Sequence, residues 1–166
     1  QGHENRRGES RGEPSGHLSP TAFVLFLQNH DQTGNRAFGD RLINLAPPDA
    51  LKAATTVLLL SPMVPLLFMG EEWGAREPFL FFTSHHGELA DAVREGRRSE
   101  FAEFAEFADE HTRERIPDPN AVETYEASKP DFSKRDEPEH AEWLSLYRHL
   151  PVSYTHLRAH ETDSYL

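Results

Sequence analysis

An unbroken apolar run, Phe23-Val24-Leu25-Phe26-Leu27, leads straight into the polar cluster Gln28-Asn29-His30-Asp31-Gln32. A strand with one wet face alternates apolar and polar residues. A continuous run instead suits a parallel strand covered on both faces. The cluster then falls at the strand's C-terminal end, where α/β sheets and barrels gather catalytic and binding groups. Gly34 permits a tight turn after it. A second apolar run, Val64 to Met69, ends in Gly70-Glu71-Glu72-Trp73, again polar groups at a strand end. Between them, Pro47-Pro48-Asp49 signals a helix start, and Pro62 bars the helix from continuing. Leu51, Ala54, Val57 and Leu58 fall at helical spacing over residues 49–60. The pattern predicts a strand–helix–strand unit of an α/β fold, with strands over 21–28 and 64–69. The strands are parallel and the crossover right-handed, so both polar clusters open on one side of the sheet.

The flanks are less regular. Residues 1–20 hold Gly, Arg, Glu, Ser and Pro without periodicity and read as a long loop. Residues 29–47 and 75–88 also read as loops, the second with an aromatic insert, Phe79 to Phe82, expected as wall and core. Helical spacing over 88–108 places Phe101, Phe104 and Phe107 on one face, with Glu103 and Glu106 opposite. Arg94 to Arg98 reads as a solvated helix face. Residues 109–138 are polar and Pro-rich, hence loop with at most a turn. His140 to Leu150 forms an amphipathic helix with Trp143, Leu144, Leu146 and Tyr147 inward, and Pro151 is expected to stop it.

The formal net charge of −11 excludes a nucleic-acid binder, whose phosphates demand basic patches. With no cysteine there is neither a disulfide framework nor a thiolate metal site, which fits a cytoplasmic protein. No run approaches the roughly 20 apolar residues of a membrane-spanning helix, so no membrane partner is expected. No metal or other cofactor is expected either. His85 and His86 are adjacent and diverge, and His156 and His160 lie in an anomalous tail, residues 151–166. Glycine patterns for nucleotide phosphates are absent.

Asn29-His30-Asp31 after a buried strand resembles the seventh-strand motif of the α-amylase superfamily, glycoside hydrolase family 13. The wider block Gln28 to Gly39 is similar to a narrower branch of that family, which releases trehalose from maltooligosyl trehalose. The similarity continues through Leu66 to Gly74, Pro78 to Thr83 and Arg94 to Arg98, and fades after about residue 150. The resemblance implies a partial (β/α)8 TIM barrel containing its last two strands. A complete barrel needs about 250 residues, and this chain has 166 and begins at Gln1. Residues 1–150 are therefore expected to be the C-terminal part of a catalytic barrel. Residues 151–166 resemble a translated sequencing adapter, foreign to the fold; the alternative is a genuine strand opening a further domain.

By the same resemblance, Asp31 is the transition-state stabiliser of a retaining glycosidase. His30, Asn29, Gln32, Asn35, Arg36, Glu72 and Trp73 are expected to bind substrate. The nucleophile and general acid would lie upstream, so this segment alone is expected to be inactive. Duller readings stand beside these. Asp31 and His30 suit a turn cap and a hydrogen-bonded structural histidine. Glu71 or Glu72 could anchor an arginine, and Trp73 could simply pack. Two rival functions remain open: a branching transferase or other amylase-like enzyme sharing Asn-His-Asp, and a small independent binding module. The module would need a closed core, which two strands without neighbours do not supply.

Overall fold

The structure, a computed structural model, describes residues 2–4, 9–107 and 109–162, and for 2–4, 9–11, 103, 106 and 152–162 the backbone alone. In chain order come β1 (Gly2–Glu4), β2 (Glu9–Arg11), β3 (Val24–Leu25), α1 (His30–Gly34), α2 (Leu42–Leu45) and α3 (Pro48–Leu60). Then come β4 (Val64–Pro65), α4 (Glu88–Glu100), α5 (Glu110–Glu114), α6 (Val122–Ala127) and α7 (Pro138–Thr162). Short 3-10 turns fill several of the gaps, and the one at Glu71–Trp73 forms the turn after β4.

The strand–helix–strand unit is present. β3 and β4 pair in parallel with Val24 opposite Val64 and Leu25 opposite Pro65. Phe23 and Leu25 carbonyls accept from the amides of Val64 and Leu66 at 3.0 and 2.8 Å. Pro65 has no N–H to offer, which an edge position tolerates. The strands are much shorter than expected. A parallel strand holds its extended form by bonding neighbours on both sides, and this two-stranded sheet supplies one neighbour each. Val24, Leu66, Leu67 and Met69 are accordingly exposed along it rather than buried. The described elements are thus mostly helical, with one parallel pair as their α/β signature.

Other expectations need correction. Residues 1–20 contain an antiparallel pair, β1 with β2, with Glu4 opposite Glu9. Residues 29–47 are not all loop but carry α1 and α2, and 109–138 carry α5, α6 and a 3-10 turn at Phe132–Asp136. The helix from residue 88 ends at Glu100, and two 3-10 turns continue it. Phe104, extended at φ −88° and ψ 133° between the two turns, breaks the phenylalanine stripe: Phe101 and Phe107 are 8% exposed, Phe104 is 56% exposed. Arg94 to Arg98 is not wholly solvated, since Arg97 is buried. Val57 also faces outward, and α3 buries Thr55 and Leu58 instead. Pro151 does not stop its helix: the α7 backbone runs through it to Thr162. The side chains of 152–162, and residues 163–166 altogether, lie outside the described residues, so beyond Pro151 the adapter-like tail is described only by its backbone to Thr162.

The C-terminal helix packs beside the turn that follows β4. Trp143 and Tyr147 of α7 are buried, and α7 lies against α3 and the Glu71–Trp73 turn. His140 pairs through Nδ1 with the Trp73 carbonyl at 2.8 Å. Ion pairs Lys52–Glu142 and Arg76–Glu139 flank the contact on the exposed side. The Phe79–Phe82 insert is only in part the expected wall and core: Leu80 is buried while Phe81 and Phe82 are exposed, and edge-to-face contacts link Phe68, Phe79, Phe82 and Tyr125.

One glycine locks the loop after α1 to this wall. Gly39 has φ of +60°, and a Cβ there would lie 2.5 Å from the Phe79 carbonyl carbon and oxygen. Its own carbonyl accepts from the Phe79 amide at 2.8 Å. Gly39→Ala meets backbone, which cannot rotate away, and a left-handed φ that side chains disfavour. The expected cost is about 1–3 kcal/mol. It should appear as a lowered melting temperature of the full-length protein; an unchanged one would contradict the contact.

Candidate active site

The residues at the end of β3 divide into an exposed face and a buried brace. Asn29 caps α1: its side-chain oxygen accepts from the Gln32 amide at 2.8 Å. Asparagine does this well because its short acceptor reaches an otherwise unbonded N–H of the first turn. The cap sends the next two side chains outward. His30 Nε2 and Asp31 Oδ1 lie 3.2 Å apart, with side chains 71% and 74% exposed. Gln32, Asn35 and Arg36 are on or just beyond the same short helix. Six of the expected site residues therefore fall together within one helical turn and its flanks.

Glu72 and Trp73 do not join them on the surface. The Glu72 carboxylate accepts from the Gly70 amide at 3.1 Å, closing its own turn. Trp73 is 4% exposed, its ring 4.9 Å from that of Phe132. Here its aromatic face is taken by packing rather than open to a sugar. Gly70 and Gly74, at φ of +90° and +65°, bracket this turn.

The brace beneath was not foreseen. Gln28 is buried, donating to the Glu71 carboxylate at 3.1 Å and accepting from the Leu42 amide at 3.1 Å. One side chain thus joins the end of β3 to α2 and to the turn after β4. Burial pushes the Glu71 carboxyl up to about 7; the Gln28 bond opposes this and Glu72 adds to it. Burial likewise raises the Tyr147 hydroxyl, which neighbours Glu71 and Thr55. Arg41 is fully buried. It donates to the carbonyls of Glu77 and Met69 at 2.6 and 2.7 Å and lies 4.9 Å over the Phe68 ring. Desolvation lowers its pKa, with Glu77, Glu71 and Glu72 acting the other way. An arginine near Glu71 and Glu72, the alternative to substrate contact for one of them, is therefore present, but it is held by carbonyls and sees the carboxylates only through their field.

Arg97 completes the support from α4. It donates to the carbonyls of Gly34 and Arg36 at 2.8 and 3.0 Å. Its guanidinium lies over the rings of Phe81 and Phe101 at 5.1 and 4.7 Å. A planar cation with several donors suits this double duty of stacking and bonding. Sequence reading missed it because spacing alone does not separate an arginine at a helix's inner edge from one in water. Among the described residues, no group of three or more His, Cys, Asp or Glu could hold a metal ion. No helix among them is long and apolar enough to cross a membrane.

The arrangement is a firmly supported short helix presenting an imidazole, a carboxylate, two amides and a guanidinium. Such a face offers donors and acceptors that suit hydroxyl groups, and a carboxylate, Asp31, whose charge suits a positive centre. No family model matches the chain. It is similar to malto-oligosyltrehalose trehalohydrolases from Deinococcus radiodurans, at 46% identity over 84% of this chain and 23% of that protein, and Rhizobium sp. (strain M-11), at 43% over 87% and 24%. It also matches the crystal structure of a Salmonella typhimurium protein assigned as an α-amylase, with TM-score 0.82 and 50% identity over 91% of this chain and 25% of that one. The chain therefore carries a segment of the malto-oligosyltrehalose trehalohydrolase sequence family, spanning about a quarter of the length of the curated relatives it matches.

Proposed function

We propose that this chain is the C-terminal part of a (β/α)8 catalytic barrel of an α-amylase-family glycosidase. Its reaction is hydrolysis of the α-1,4 bond next to the terminal trehalose unit of maltooligosyl trehalose, with retention of configuration. The observation that carries this reading is the exposed His30–Asp31 pair, 3.2 Å apart, at the C-terminal end of β3 on a helix capped by Asn29 and braced by Gln28 and Arg97.

Glycoside cleavage passes through an oxocarbenium-like transition state between two carboxyl groups, one nucleophile and one acid/base in a retaining enzyme. Those two belong to the portion of the protein that precedes this segment. Asp31 is the third carboxylate. Held in place before the reaction, it accepts from ring hydroxyls and steadies the positive charge as it develops. His30 donates to hydroxyls of the same ring. Asn29, Gln32, Asn35 and Arg36 contact that sugar or its neighbours. Glu72 and Trp73 act from behind by shaping the turn at the end of β4. No cofactor takes part, and the protein works in the cytoplasm.

The Asn-His-Asp motif cannot itself select a trehalose end, so selection belongs to the loops after the two strand ends. The full-length enzyme is expected to prefer maltooligosyl trehalose over a maltooligosaccharide of equal length and to release trehalose as its main small product. Comparing kcat/KM on the two substrates, with chromatography of the products, tests this. Equal rates with maltose and glucose as products would make the protein a general amylase; transfer to a new branch point would make it a branching enzyme.

A further inference from the structure

Beside the Asp31 helix lies a groove that shares Asn35 and Arg36 with the proposed catalytic face and extends beyond it. Phe38, Phe101 and Phe104 line it together with the polar residues Asn35, Arg36 and Asp40. Its volume of about 460 Å³ is within the range of small-molecule sites, about 300–1,000 Å³. Phe104 stands out among its neighbours. Phe101 and Phe107 are buried, whereas Phe104 is 56% exposed with its ring centroid 5.9 Å from that of Phe101. The ring is thus supported at one side and open elsewhere. Asn35, Arg36 and Asp40 make no side-chain hydrogen bond or ion pair among the described residues, so their polar groups remain available.

The groove is also continuous with the site. Arg36 and Asp40 line a second groove, of about 370 Å³, together with Gln32 and Thr33. Gln32 is the residue after Asp31. A path therefore runs from the Asp31 turn past Gln32 and Arg36 to Phe104. Arg97 ties the polar and aromatic lining together, bonding the Gly34 and Arg36 carbonyls while lying over the Phe101 ring.

Resting on the glycosidase reading, we propose that this groove is a remote subsite for a further glucose unit of the oligosaccharide, with Phe104 as its stacking platform. A pyranose has an apolar face of C–H bonds and a rim of hydroxyls. It needs a ring to lie on and amide, guanidinium and carboxylate groups beside it, the two kinds of lining this groove has. A neutral sugar also suits the opposite charges of Arg36 and Asp40, which leave no net charge to attract an ion.

The test uses the full-length enzyme and two maltooligosyl trehaloses, one too short to reach the groove and one long enough to fill it. Phe104→Ala is expected to lower the ratio of kcat/KM for the long substrate to that for the short one by about tenfold, through KM. Phe104→Trp is expected to restore the ratio. An equal loss on both substrates, or an unaltered ratio with a lowered melting temperature, would overturn the subsite and make Phe104 a packing residue against the rest of the protein. The two readings fail separately. Should the enzyme release maltose in place of trehalose, the length dependence is measured with maltooligosaccharides, and the subsite stands or falls on that ratio alone.

Discussion

Full-length enzyme carrying Asp31→Asn is expected to lose about 10²–10³ in kcat, or about 3–4 kcal/mol of transition-state stabilisation. The amide keeps the shape of the carboxylate and one acceptor oxygen, so ground-state binding through hydroxyls largely survives. What goes is the negative charge, and that charge matters most when the sugar ring becomes positive. KM should therefore move far less than kcat. Unfolding is not a competing explanation, because the Asp31 side chain is 74% exposed and its replacement leaves no cavity. Single-turnover and steady-state kinetics on one substrate, with a melting curve as control, separate the cases. Near-normal turnover would reduce Asp31 to a turn residue.

The second large effect is on stability and runs opposite to the usual carboxylate case. Glu71 titrates at about 7 in the folded protein, against an ordinary 4.5. Between those values the folded state holds a proton that the unfolded state has lost. The Glu71 contribution is therefore complete below the unfolded pKa, falls as pH rises through the window, and levels off above the folded pKa. The total is about 3 kcal/mol. Other carboxylates have lowered values. Burial acts to raise Glu77, but its bond to Lys134 and backbone amides together outweigh that. Asp118, Asp131 and Glu139 are held down by the Asn120 amide, Ser133 and Arg76 in turn. These contributions are present above the ordinary carboxylate range and vanish in acid below it, so they do not mask the Glu71 window. Glu71→Gln keeps an acceptor for Gln28 and removes the titration. Denaturant unfolding of the full-length protein at several pH values should show a decline in stability from about pH 4.5 to 7 that the variant lacks. Parallel profiles for the two proteins would show that Glu71 is hydrated and titrates normally.

How far the chain could be read from its residues depended on what held each element. α3 was legible because its boundaries are chemical: Pro48 starts it and Pro62 forbids its extension. The parallel pairing was legible because two unbroken apolar runs flank that helix. The extent of the strands was not, since extended backbone persists only where neighbours bond it, and sequence does not say which neighbours are there. The site's exposed half, Asn29 to Arg36, came from its place at a strand end and from family likeness. The buried half did not. Gln28, Arg41, Glu71 and Arg97 are polar residues inside, and hydropathy assigns such residues to the surface. Only partners distant in the chain, such as Leu42 for Gln28 or Gly34 for Arg97, make their burial tolerable. Trp73 differed in the other direction: an aromatic residue at a strand end is equally suited to a sugar and to another ring, and here Phe132 lies against it.

Arg97 grips a shape and not a sequence. Besides its ion pair with Glu100 on its own helix, its bonds to this stretch are to main-chain oxygens of Gly34 and Arg36, which every amino acid provides. Side chains along 34–36 can therefore be exchanged, and the choice of sugar contacts retuned, without releasing the grip. Chain length is another matter. A residue inserted or deleted between Thr33 and Gly39 would rotate the carbonyls away from the guanidinium and pull Gly39 off Phe79 together. This stretch is built to vary in letters while its count stays fixed, so a library of variants here should be diversified by substitution and never by loop length.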